Sequence, residues 1–172
     1  EYSSLGIGIR LDKIFGSFYE NDLAKGRLDR EEALEIMQLL WVKFNELGLV
    51  YSPTVSSVYG GVASLQAVTI GGTDKDGNDV TNDLTYLALE AAESLHLIEP
   101  SIVLRLHEGT PDELYSKALD VIKTGVGYPS LFNDESLLPL IEKWGVPPKD
   151  ARDYAVTGCV YIEIPGKNAM RR

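Results

Sequence analysis

At 172 residues, with 44% hydrophobic and 24% charged side chains, the chain has the size and make-up of one folded unit rather than a disordered or fibrous polymer. Lys and Arg number 16 against 26 Asp and Glu; a net charge of -10 argues against nucleic acid or an anionic membrane as partner. No apolar run reaches the roughly 18–20 residues that span a bilayer. Glu1-Tyr2-Ser3-Ser4 lacks a leader pattern, and a single cysteine fits a reducing compartment, so the expected location is the cytoplasm.

The first helical pattern, residues 11–23, puts Ile14, Phe15 and Phe18 inward and ends at Gly26. The next, residues 30–47, opens on Asp29 with Glu32 three residues later and stops at Gly48. Its apolar residues, from Ala33 through Trp41 to Leu47, cover more than one stripe, which predicts packing on more than one side. Val68-Thr69-Ile70 reads as a strand before Gly71-Gly72, and residues 73–79 as a turn with Asp76-Gly77 at its tip. A calcium loop starting at Asp74 fails, because its sixth and twelfth positions are Asp79 and Thr85 instead of Gly and Glu.

Residues 81–96 return to helical spacing, and residues 101–106 read as a mostly buried strand. Thr110-Pro111-Asp112-Glu113 predicts a capping Thr, Pro at the first helical position and a capping-box Glu, with the helix stopping at Gly125. Residues 137–144 form a further helix, residues 150–154 a final helical turn, and residues 156–164 an extended segment. Helices interleaved with short apolar strands predict an α/β fold, without internal repeats or a linker.

Chemistry-bearing residues are few. There is no Gly-x-Ser-x-Gly elbow, and Cys159 with two scattered histidines has no metal-ligand spacing, so no metal is expected. His96, on an apolar helix, reads as a core or boundary residue; His107, after a buried strand, either lines a cleft or is structural. Gly125-Val126-Gly127-Tyr128-Pro129 lacks the rest of a phosphate loop and reads as a tight turn. Cys159 has no neighbouring Lys, Arg or His to make it a thiolate, so ordinary nucleophilic catalysis is disfavoured. Two possibilities stand: a buried packing cysteine, or a thiol that transfers a hydrogen atom, which needs enclosure rather than a lowered pKa.

Four ordered motifs carry a resemblance. They are Pro100-Ser101-Ile102-Val103-Leu104-Arg105-Leu106-His107; Thr110-Pro111-Asp112-Glu113-Leu114; Gly125-Val126-Gly127-Tyr128-Pro129-Ser130-Leu131-Phe132-Asn133-Asp134; and Asp150-Ala151-Arg152-Asp153-Tyr154-Ala155-Val156-Thr157-Gly158-Cys159-Val160. Together they resemble the glycyl radical enzymes, on the branch of glycerol and diol dehydratases, hydroxyproline dehydratase, choline lyase and arylacetate decarboxylases. Gly71-Gly72, Asp76-Gly77 and Thr81-Asn82-Asp83-Leu84 extend the similarity upstream.

The resemblance implies part of a ten-stranded α/β barrel, with Cys159 as the thiyl-forming cysteine. It implies no bound cofactor in this segment, a glycyl radical stored elsewhere, a radical-SAM activase that installs it, and a homodimer. No Arg-Val-x-Gly-Tyr-like glycyl loop occurs in the 172 residues, which are expected to form one segment of a larger catalytic barrel. The family's dehydratases carry Glu two residues after the cysteine as a base. Tyr161 stands there, and a phenol of ordinary pKa near 10 is a poor base. Glu163 is expected one pleat further along the face shared with Cys159 and Tyr161. Val160 after Cys159 disfavours pyruvate cleavage, which uses adjacent cysteines.

The expected activity is therefore radical cleavage of a C–O, C–N or C–C bond in a small organic substrate, with Tyr161 and Glu163 beside it. One alternative is an alkyl- or arylalkylsuccinate synthase-type addition to fumarate, with Arg171 and Arg172 as candidate cations. The other is a non-catalytic α/β binding or scaffold protein with a buried structural cysteine.

Overall fold

The computed structural model describes residues 8–46, 52–59 and 66–169. Strand β1 (Ile9–Arg10) leads into helices α1 (Leu11–Ala24), α2 (Arg30–Glu46) and α3 (Pro53–Tyr59). Then β2 (Ala67–Gly71), α4 (Asp83–Leu95), β3 (Ser101–Leu106), α5 (Asp112–Lys123) and β4 (Ser130–Asn133) alternate. Helices α6 (Asp134–Lys143) and α7 (Pro148–Ala151) precede β5 (Ala155–Thr157), β6 (Tyr161–Ile164) and β7 (Asn168–Ala169). Strands β1 to β4 pair in chain order as a parallel sheet, and β5 to β7 form a small antiparallel sheet. The expected α/β class holds; β4 is a strand that periodicity missed, four residues long with no residue fully buried.

Alternation along β2 and β3 gives the parallel sheet two different faces. Val68, Ile70, Ile102 and Leu104 enter one core with Leu87, Ala88, Ala91, Leu114, Ala118 and Trp41 from the helices. Val103 faces the other way, into a second core with Ile141, Ala151, Tyr154, Val156 and Ile164. A layer built from α1, α2, α4 and α5 therefore covers one face, and the C-terminal hairpin covers the other together with α6 and α7.

Several helix starts follow the sequence. At α2, Asp29 Oδ1 accepts the Glu32 amide at 2.8 Å and Glu32 Oε2 accepts the Asp29 amide at 2.9 Å, a reciprocal box. Asn82 caps α4 in the same way with Thr85. At α5 the expectation is corrected: Pro111 is the N-cap without a side-chain bond, while the Thr110 hydroxyl accepts the His107 amide at 2.9 Å. The final helical turn lies earlier than expected, at Pro148–Ala151.

Two packing expectations fail for physical reasons. Ile14, Phe15 and Phe18 of α1 are about half exposed or more, whereas Leu11, Asp12, Gly16 and Tyr19 face inward. Asp12 decides this: its carboxylate accepts the Gly71 amide at 2.6 Å and the Thr85 hydroxyl at 2.8 Å. Gly16, one turn on, lies so close to Asn82 that an added Cβ would stand 2.7 Å from its amide nitrogen. In α2 a single stripe of Ala33, Met37 and Trp41 is buried, and Ile36, Leu39 and Val42 stay exposed.

Candidate active site

Residues 156–164 are not one extended run. Gly158 takes the left-handed φ of +59°, and β5 turns through residues 158–160 into β6, with Thr157 opposite Tyr161 and Ala155 opposite Glu163. Cys159 stands exposed in this turn, with Val160 65% and Tyr161 56% exposed. The expected common face is corrected in part: Tyr161 and Glu163 share a face of β6, but the turn takes Cys159 off that strand. Within this segment Cys159 is exposed and packs in neither hydrophobic core.

The exposed tip grows from a tightly held root. Tyr154, just before β5, packs under Arg105 from β3, whose guanidinium carbon lies 3.9 Å from the ring centroid. Arg105 Nη1 donates to the Tyr154 carbonyl at 2.9 Å, while Nε and Nη2 donate to both Asp134 carboxylate oxygens at 3.0 and 2.6 Å. The Tyr154 hydroxyl closes the cluster, donating to Asp134 at 2.8 Å. Arg105 and Tyr154 are fully buried and Asp134 is 1% exposed. Burial first, then the Asp134 charge and hydrogen bond, pushes the Tyr154 phenol far above its ordinary range, so it remains neutral.

Further along, the Val156 amide donates to Thr69 Oγ1 at 3.0 Å, and the Gly8 amide donates to Thr157 Oγ1 at 3.0 Å. Thr157 in turn donates to the Glu163 carboxylate across the hairpin. These anchors lie at the end of β3, the middle of β2 and just before β1, so β5 crosses the sheet face against the strand direction. Gly71 and Gly72, at φ of +67° and +78°, leave the space Arg105 fills.

A second polar cluster supports the same edge. Buried Arg10 donates to the carbonyls of Thr73 and Gly71 at 2.9 and 3.0 Å and to Asp153 at 3.2 Å. Its pKa falls to about 10, through burial and the nearby Arg105 charge, so it stays cationic at neutral pH. Burial acts to raise the Asp153 carboxyl, but the Lys13 hydrogen bond and the charges of Lys13, Arg10 and Lys75 outweigh it and leave it lowered. Asp12 is raised, chiefly by burial.

The histidines take no part. The Gly109 amide donates to His107 Nδ1 at 3.1 Å, which leaves the proton on Nε2, 3.0 Å from Asp79. The Nε2 contact ties the 73–79 turn to the loop after β3, and the Nδ1 bond closes that loop on itself. His96 is neither core nor site but the exposed left-handed C-cap of α4, with φ of +49°. Lys167 and Arg152, the cations nearest Cys159 in sequence, bond Asp150 and the Lys75 carbonyl. No group of three or more His, Cys, Asp or Glu is placed to hold a metal among the described residues. Arg171 and Arg172 lie outside them.

The arrangement is a parallel α/β sheet with a thiol on a hairpin whose root is held by side-chain hydrogen bonds. The chain belongs to the pyruvate formate lyase-like family, the glycyl radical enzymes; the family match runs over residues 3–171. It is 39% identical over 160 residues to the isethionate sulfite-lyase of Nitratidesulfovibrio vulgaris, covering 92% of this chain and 19% of that protein. A solved Roseburia inulinivorans structure described for 1,2-propanediol dehydration aligns with TM-score 0.91 at 34% identity, over 95% of this chain and 20% of that one. A glycyl radical enzyme from Archaeoglobus fulgidus also gives 0.91 and 34%, over 98% of this chain and 22% of that one. The chain thus spans about a fifth of the length of these relatives. No helix among the described residues is long and apolar enough to cross a membrane.

Sequence reasoning missed Arg105, Asp134, Arg10, Thr69 and Thr157. A signal existed for Arg105 alone: a charged residue inside the apolar run Ile102 to Leu106 must be paired if that strand is buried.

Proposed function

We propose that the chain is a segment of the catalytic barrel of a glycyl radical enzyme of the non-pyruvate type, with Cys159 as its hydrogen-atom carrier. The observation that carries this is a lone thiol at the exposed tip of a hairpin whose root is bonded to β3, β2 and the residue before β1. The parallel sheet, with α1, α2, α4 and α5 on one face and the hairpin on the other, supports a place in a ten-stranded barrel with the hairpin inside. Residues 1–172 form one segment of that barrel domain, and the radical glycine belongs to another part of the polypeptide.

A stored glycyl radical supplies an unpaired electron at carbon. Cys159 gives up its Sγ hydrogen atom, then takes one from a substrate carbon and returns it to the product radical after bond cleavage. This transfer exchanges one hydrogen atom per step and needs no thiolate, in keeping with a sequence that puts no Lys, Arg or His next to Cys159. The bond broken is C–O, C–N or C–C; the relative named a sulfite-lyase adds C–S. Tyr161, exposed two residues after Cys159, and Glu163 lie on the substrate side of the hairpin. The partners are the small organic substrate, a radical-SAM activase, the rest of the polypeptide and a second copy in a homodimer, in the cytoplasm.

A second reading is favoured by Tyr161 itself. A phenol in place of a carboxylate suits a radical addition to fumarate, where no substrate hydroxyl needs deprotonating.

The test is anaerobic activation of the intact protein by its activase, followed by EPR in H2O and D2O. Thiol hydrogens exchange with solvent, so hydrogen-atom traffic through Cys159 deuterates the glycyl carbon and collapses the α-hydrogen doublet. The collapse is expected in the wild type and absent in Cys159→Ala, with the initial doublet formed in both. A doublet that collapses equally in Cys159→Ala removes the cysteine from the mechanism.

A further inference from the structure

We propose that Arg105 is a positioning residue for the Cys159 hairpin, acting with Asp134 and Tyr154 as a buried clamp at its root. The consequence for chemistry rests on the reading of Cys159 as the hydrogen-atom carrier; the clamp itself rests on geometry. Arg105 occupies the face of β3 that carries Val103, opposite the helical layer, and every one of its three nitrogens donates to oxygen at 2.6–3.0 Å. One of those acceptors is the backbone carbonyl of Tyr154, the last residue before β5. The guanidinium also lies on the Tyr154 ring, and the ring's hydroxyl returns to the same carboxylate that pairs Arg105.

A core position needing only stability is served as well by apolar side chains, since burying an ion pair costs desolvation that its attraction barely offsets. What the triad adds is direction: a bidentate fork, a stacked ring and a carbonyl bond together fix where the chain enters β5. From there Val156 is held by Thr69 and Thr157 by the Gly8 amide, three residues and then two residues before Cys159. Hydrogen-atom transfer depends steeply on the distance between the two heavy atoms, and a displacement of about 1 Å costs on the order of a hundredfold. A loose root would therefore leave the thiol present and the transfer slow. Gly72 belongs to the same device, because a Cβ there would stand 2.6 Å from Arg105 Nε.

The test uses the intact protein with Arg105→Lys and Tyr154→Phe, the second keeping the ring under Arg105 and removing only its hydroxyl. Amide hydrogen exchange over residues 155–164 is expected to quicken about tenfold or more, with α4 and α5 unchanged. After activation, the glycyl doublet is expected to form in full, and its collapse in D2O to slow about tenfold. Unchanged hairpin exchange in both variants overturns the clamp, as does faster exchange spread evenly over the chain. Faster hairpin exchange with wild-type doublet collapse overturns the positioning role. If Cys159→Ala collapses like the wild type, the carrier reading fails, and hairpin exchange alone then decides whether Arg105 anchors β5.

Discussion

The hydroxyl of Thr69, in the middle of β2, accepts the backbone amide of Val156 in β5 at 3.0 Å, with both residues fully buried. A side chain of one sheet thereby takes the place of a ladder partner for another. Thr69→Val keeps the shape and removes the acceptor, leaving a buried amide unpaired at about 1–3 kcal/mol. Local exchange at Val156 is expected to quicken accordingly, while Thr69→Ser keeps most of the protection; equal exchange in Thr69→Val and wild type would show the bond to be dispensable.

Gly72 and Gly77 both have positive φ, but different surroundings. Alanine at either meets backbone strain of about 1–3 kcal/mol. At Gly72 it also meets the Arg105 side chain at 2.6–2.9 Å, whereas at Gly77 the nearest contact is Arg152 Nε at 3.9 Å. Gly72→Ala is therefore expected to lower the unfolding midpoint of the intact protein well beyond Gly77→Ala.

Asp134→Asn leaves the Arg105 cation buried without its counter-charge, an effect of about 3–5 kcal/mol. The double variant Arg105→Met, Asp134→Leu removes both charges and is expected to recover a large part of that loss in urea unfolding. Recovery of stability without recovery of doublet collapse would separate holding the fold from aiming the thiol.

The Asp153 carboxyl is held below its ordinary value of 3.8 in the folded state. Between the lowered folded value and the ordinary unfolded one, the unfolded chain binds more protons, so this contribution is present above the unfolded pKa and lost as pH falls through the folded one. Wild type is expected to exceed Asp153→Asn in thermal midpoint by a constant margin above about pH 5, and the margin to close in more acid solution. A margin independent of pH down to about 3 contradicts this assignment.

The Glu163 carboxylate already accepts the Thr157 hydroxyl, whose oxygen accepts the Gly8 amide. Glu163→Gln keeps an acceptor for Thr157 and is expected to leave hairpin exchange and doublet collapse within about threefold of wild type, whereas Glu163→Ala quickens exchange at Thr157. Equal exchange in Glu163→Ala and wild type would show that Thr157 does not depend on Glu163.

What was legible in the sequence was local. The Asp29–Glu32 box, the buried strand Ser101–Leu106 and the Asp76-Gly77 turn follow from chemistry within a few residues. The inward face of α1 was misread because Asp12, through Gly71 and Thr85, outweighs the pull of three larger apolar side chains. Such a bond joins residues about 60–70 positions apart, and no periodicity records it. The extended run after Val156 failed at one residue, Gly158, whose left-handed φ makes the turn that presents Cys159. The family motifs contain Arg105, Asp134 and Tyr154, but their spacing gives no sign that the three converge, which happens only in the folded chain.

The hairpin joins a crowded root to an open tip, and this divides its mutational latitude. Changes at Tyr154, Val156 or Thr157 disturb partners in β3, β2 and the residue before β1, so selection can alter them only in concert with distant sites. Val160 and Tyr161, more than half exposed beside the thiol, have few such obligations. Side chains at the tip can thus be exchanged one substitution at a time, without renegotiating the scaffold that carries them.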